Sequence, residues 1–145
     1  MTDRTILLVE DTPDDVDLVR HAFRRAGIQA SLKVASHGEE ALAYLTGDGA
    51  YSDRLAHPMP RLVLLDLKLP RLSGFEVLEW IRKHDATQYL PVVVLTSSDQ
   101  HEDIKRAHRL GANSYLTKPV VRDSLVSMLA VVDTYWLNLH RTPGL

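Results

Sequence analysis

At 145 residues, 45% hydrophobic and 25% charged, the chain has the size and composition of one globular domain with a single core. Its net charge of −2 supplies no electrostatic drive toward nucleic acid or an anionic membrane, and the absence of cysteine excludes disulfides and thiolate metal sites. The opening MTDRTILLVEDTPDD turns acidic too soon for a signal peptide, and no apolar run approaches the roughly 18 residues of a membrane span, so a soluble cytoplasmic protein is expected.

Five apolar runs punctuate the chain: TILLV at 5–9, SLKVA at 31–35, RLVLL at 61–65, PVVVL at 91–95 and SYL at 114–116. The first, third and fourth are continuous, as strands covered on both faces are, whereas the second alternates around Leu32 and Val34 and belongs nearer an edge. The fifth takes its assignment from context. Between the runs the spacing is helical. Val16, Val19, Ala22, Phe23 and Ala26 form one stripe over 14–26, with Gly27 as the stop. Ala41, Leu42 and Leu45 mark a helix over 38–46. Phe75, Leu78 and Ile81 mark another over 73–84, behind Ser73 as N-cap. Ile104, Ala107 and Leu110 mark 99–110, with Asp99 capping and Gly111 ending the helix, and a last helix is expected over 120–140.

Strict strand–helix alternation implies right-handed βαβ units, hence an α/β doubly wound parallel sheet with helices on both faces. One segment departs from the pattern. GDGAYSDRLAHPMP at 47–60 is a long polar loop read as a surface insertion, because its G-x-G precedes no helix and lacks the third glycine of a nucleotide fingerprint.

Ligands of such sheets sit beyond the carboxyl ends of the strands. Glu10, Asp11, Asp14 and Asp15 follow the first run, Asp66 the third, Thr96, Ser97 and Ser98 the fourth, and Thr117, Lys118 and Pro119 the fifth. Glu10, Asp11 and Asp66 cannot all ionise side by side without a cation. Lys118 neutralises one charge, and the remainder calls for a hard divalent metal such as Mg²⁺, which accepts one or two carboxylates and keeps waters for a phosphate-bearing ligand. Asp14 and Asp15 read as solvated acids in a helix's first turn.

Four motifs, the acidic pair of LLVED, LLDLKLPRLSG, VVVLTSS and GANSYLTKP, resemble the receiver domain of two-component response regulators from Ile6 to about Leu137. The resemblance implies a flavodoxin-like (βα)5 fold with strand order 2-1-3-4-5 over a single domain, residues 1–145. It implies that Asp66 is the phosphoacceptor, becoming an aspartyl phosphate in a phosphorelay two-component system. Mg²⁺ would be held by Glu10, Asp11, Asp66 and the backbone carbonyl of Lys68. Thr96 and Lys118 would meet the phosphoryl oxygens, and Pro119 would follow a cis bond that turns Lys118 inward. Tyr115 stands where the family keeps an aromatic switch. The protein would then be a signalling phosphoacceptor rather than an enzyme, with only weak autophosphorylation from small donors and weak autodephosphorylation. Pro70 and Gly74 match the family's loop after the acceptor strand.

No output module follows the last helix in this sequence, so the expected output is a protein contact. Val121, Leu125, Met128, Val132, Trp136 and Leu139 fall on one helical stripe suited to the core, with Val126 and Leu137 opposite. About 21 residues span roughly 30 Å, so TYWLNL is expected to overhang with exposed aromatics and to mark a homodimer through helix 4, strand 5 and helix 5. The long loop before the third strand, VVVLTSSDQHEDIKRAHRLGANSYLTKPV at 92–120 and the YWL tail are similar to single-domain regulators paired with phytochrome-type histidine kinases. Expected partners are therefore a sensor histidine kinase, of the bacteriophytochrome kind, and a downstream phosphotransfer or effector protein, with no nucleic acid and no membrane. Two other readings compete. A phosphatase of the haloacid dehalogenase type needs an acid two positions after its nucleophile, where this chain has Lys68, and a receiver-like docking module would act without phosphorylation.

Overall fold

The computed structural model describes residues 4–143; residues 1–3, in the stretch read as no signal peptide, and 144–145 lie outside it. Strands β1 (Thr5–Val9), β2 (Ser31–Ala35), β3 (Leu62–Leu65), β4 (Val92–Thr96) and β5 (Ser114–Thr117) pair in parallel in the order β2-β1-β3-β4-β5. This is the 2-1-3-4-5 order of the flavodoxin-like fold. The alternating second run and the short fifth run form the two edges, where one flank of each strand has no partner strand to cover it.

Helices α1 (Pro13–Ala26) and α5 (Arg122–Val132) cover one face, and α2 (Gly38–Thr46) and α3 (Gly74–Lys83) cover the other. Each central strand serves both, since successive side chains alternate. Ile6, Leu8, Leu62 and Leu64 pack with Val19, Phe23, Leu125 and Leu129, whereas Leu7, Val9, Val63 and Leu65 pack with Ala41, Leu45, Leu78 and Ile81. Helix α4 (His101–Arg109) lies over a smaller cluster of Leu67, Phe75, Val94 and Ala107.

Local signals decide the helix ends. Gly27 closes α1 at φ 68, and Ser73 opens α3 through a reciprocal capping box with Glu76. At α4 the expected cap is displaced: Gln100 is the N-cap residue, without a side-chain cap bond, and Asp99 lies outside the helix. The long loop is more built than a plain insertion. Its Arg54 guanidinium donates to the carbonyls of Tyr44 (2.7 Å), Leu45 (2.9 Å) and His57 (3.0 Å), capping the end of α2.

The C-terminal segment corrects the expected periodicity. After Val132 the chain winds as a π-helix, Asp133–Leu139, and the His140 N–H donates to the Tyr135 carbonyl five residues back at 2.7 Å. A five-residue step puts Leu137 on the side of Val132. Leu137 is therefore 1% exposed in the core, whereas Leu139, assigned to the core stripe, is 64% exposed. Val121 precedes α5 and is 60% exposed, and Trp136 packs against the core. The tail folds onto its own domain instead of overhanging. No described helix is long and apolar enough to cross a membrane.

Candidate functional site

The sheet's hydrogen bonding runs one residue past the strands and fixes the site's backbone. Glu10 N–H donates to Ala35 O (3.0 Å), Asp66 N–H to Val9 O (3.1 Å) and Lys118 N–H to Thr96 O (2.8 Å). Two carboxylic acids and an ammonium thus stand at one rim because parallel pairing holds their strands in register.

Asp66 is buried. Its Oδ1 accepts the Thr96 hydroxyl at 2.8 Å and the Lys68 backbone N–H at 3.2 Å, and its Oδ2 meets the Lys118 ammonium at 3.2 Å. Gly74 makes room behind it: a Cβ there would lie 2.2 Å from the Asp66 carbonyl oxygen and 2.6 Å from Leu67 Cα. Only glycine lets α3 begin so close to the acceptor loop.

Lys118 also donates to Glu10 Oε1 at 2.6 Å and to Asp15 Oδ2 at 2.8 Å. Burial works against its ammonium, but the bonds to Asp15 and Glu10 and the charge of Asp66 more than offset that, so its pKa stands above the ordinary lysine value. Burial pushes the Glu10 carboxyl up to about 7, against the pull of the Lys118 hydrogen bond and with the help of the Asp66 charge. One ammonium leaves this rim with excess negative charge.

Glu10, Asp11, Asp66, Thr96 and Lys118 come together at this rim, with two corrections to the expected arrangement. The Lys118–Pro119 bond is trans, there being no cis peptide among the described residues, and Lys118 reaches inward without one. Asp15, assigned to solvent in a helix's first turn, keeps that place on α1 yet pairs with Lys118. Its partner lies 103 positions away, so no local signal announced it. Tyr115 is half-buried, and its hydroxyl donates to the Ser98 carbonyl at 2.9 Å. Lys68 points its ammonium at Asp103 (3.0 Å), which also accepts the Ser98 hydroxyl at 2.6 Å.

Glu10, Asp11 and Asp66 each offer a carboxylate oxygen, all within 4.8 Å of one another. Hard oxygen donors so close together, with a charge excess, suit a divalent cation.

Residues 6–130 match the family described as the response regulator receiver domain. Among curated relatives, the probable methanogenesis regulatory protein FilR2 of Methanothrix harundinacea is 39% identical over 142 residues, covering 96% of this chain and 87% of its own. Among solved structures, RcpA, a phosphorylated cyanobacterial phytochrome response regulator, superposes with a TM-score of 0.89 at 32% identity over 99% of this chain and all of its own. The response regulator RPA3017 of R. palustris, from red light signalling, superposes with a TM-score of 0.92 at 34% identity over 98% and 99% of the two chains. Match, fold order and a rim where carboxylates, a hydroxyl and an ammonium meet agree: this chain belongs to the response regulator receiver domain family, homologous to phytochrome-associated regulators, and is a phosphorelay signalling protein rather than a classical enzyme.

Proposed function

We propose that Asp66 takes a phosphoryl group from the phosphohistidine of a sensor histidine kinase in the cytoplasm. An Asp66 carboxylate oxygen attacks phosphorus, the P–N bond breaks as the P–O bond forms, and the imidazole leaves. Phosphoryl transfer asks the protein mainly for positioning and charge relief. The observation carrying this reading is that both Asp66 oxygens already hold the needed donors, Thr96 at 2.8 Å and Lys118 at 3.2 Å. Those groups follow the incoming oxygens with little rearrangement. Mg²⁺, held by Glu10, Asp11, Asp66 and the Lys68 carbonyl, supplies further neutralisation of the transferring oxygens when bound.

On phosphorylation Thr96 turns toward the phosphoryl group, and Tyr115 gives up the Ser98 carbonyl and rotates inward. The readout is a homodimer through α4, β5 and α5. Supporting it, Val131 and Tyr135 are exposed beside a groove of about 400 Å³ lined by Leu116, Met128 and Trp136. Light scattering with and without beryllofluoride tests the dimer, and Tyr115→Ala tests the switch. Similarity to RcpA, a phytochrome response regulator, favours a phytochrome-type kinase as donor. A phosphotransfer or effector protein would receive the signal downstream.

Incubation with Mg²⁺ and a small acyl-phosphate donor should add one phosphoryl mass to the protein and none to Asp66→Ala. Uptake of the label by Asp66→Ala would defeat the assignment.

A further inference from the structure

We infer that Asp15 is a positioning residue for this site: it takes one of the three donors of the Lys118 ammonium, so that Glu10 and Asp66 share only the other two and stay available to the divalent cation. The inference rests on the phosphoacceptor reading and assigns a role to a residue which that reading does not use.

An ammonium has three donors, and Lys118 spends all of them on carboxylates: Glu10 at 2.6 Å, Asp15 at 2.8 Å and Asp66 at 3.2 Å. Two of those acceptors, Glu10 and Asp66, belong to the group that can hold a cation; Asp15 does not. A dication at the rim and the ammonium would therefore compete for the same two carboxylates, and Asp15 is the partner Lys118 keeps whichever wins.

Its placement suits the task. Asp15 sits on α1, not at a strand end, and Val19, Ala22 and Phe23 bury that helix against the core. The carboxylate is thus presented from a fixed element. Its side chain is 33% exposed, against 2% for Glu10 and 8% for Asp66, so Asp15 draws the ammonium toward the mouth of the rim. Without it, all three donors turn to Glu10 and Asp66, and a cation must displace the ammonium to enter.

Loss of a nearby negative charge weakens cation binding by field alone, so Asp15→Asn by itself decides nothing. The comparison that decides is Asp15→Asn in the native protein and in Lys118→Met, with Mg²⁺ affinity read by calorimetry and folding checked by circular dichroism. If Asp15 works through Lys118, the loss of affinity in the native background should exceed that in Lys118→Met by about threefold or more, within the usual coupling of contacting residues. A smaller ratio, or no loss in either background, overturns the role. Should Lys118→Met fail to fold, the same ratio is read in Lys118→Gln. Absence of Mg²⁺ binding by the native protein would instead sink the cation itself, a failure distinct from equal losses in the two backgrounds.

Discussion

Lys118 and Arg82, two partly buried cations among the described residues, sit at different corners of the fold. Lys118 at the carboxyl rim is held by three carboxylates, all ionisable. Arg82 on α3 is held by neutral oxygens: its Nε donates to Gly111 O at 2.9 Å, and its terminal nitrogens to Leu90 O at 2.7 Å, Gln88 O at 3.2 Å and Asn113 Oδ1 at 2.7 Å. That asparagine oxygen also accepts the Val92 N–H at 2.7 Å, so the guanidinium joins α3 to the ends of β4 and β5. Burial and charge are common to both corners. Carbonyls can neither take up a proton near neutral pH nor be bridged into a multi-carboxylate cation site, so the Arg82 corner is a fixed joint; carboxylates can do both, so the Lys118 corner can change state.

Sharpening that contrast begins with Arg82→Met. It leaves the part-buried carbonyls of Gly111, Gln88 and Leu90 without this donor and should cost about 3 kcal/mol in urea unfolding, a loss that Mg²⁺ does not restore. Recovery by Mg²⁺ would erase the distinction between the corners. Lys118→Met should cost about 2 kcal/mol in cation-free buffer at neutral pH or above, from repulsion among the abandoned carboxylates, and most of that should return when Mg²⁺ is added. Equal stability with and without the cation would break the comparison from the other side.

A smaller effect follows from Glu10, whose folded pKa of about 7 lies above the ordinary 4.5. The folded state then binds its proton more tightly than the unfolded chain does, so this group favours folding below the ordinary value and loses that contribution as pH rises through about 7. Cation binding requires the deprotonated carboxylate. Mg²⁺ affinity should therefore fall below neutrality, by up to about tenfold per pH unit. Calorimetry at about pH 6 and about pH 8 checks this, and identical affinities would mean that Glu10 is not a ligand.

Much of the rim is legible in the amino-acid sequence. Glu10, Asp66, Thr96 and Lys118 each follow an apolar run, and a parallel sheet gathers the ends of such runs. The Ser73 cap was legible because S-x-x-E is a local pattern. Asp15 was not, since the acid that meets an ammonium depends on how α1 packs against α5, beside the loop that carries Lys118. Leu137 was misplaced because apolar periodicity presumes a constant helical step, and the step lengthens after Val132. Asp99 was misplaced at α4 by a single residue's difference in where the helix begins.

The amino-acid sequence by itself determined the order of strands and helices, the two faces of each central strand and the residues available at the carboxyl rim, because alternation, caps and turn residues act over a few positions. Only the tertiary structure decided that one lysine serves three acids, that Arg82 ties two loops through neutral oxygens, and that the last turns widen to bury Leu137. Those outcomes turn on distances between residues far apart in the chain, which no short-range pattern encodes.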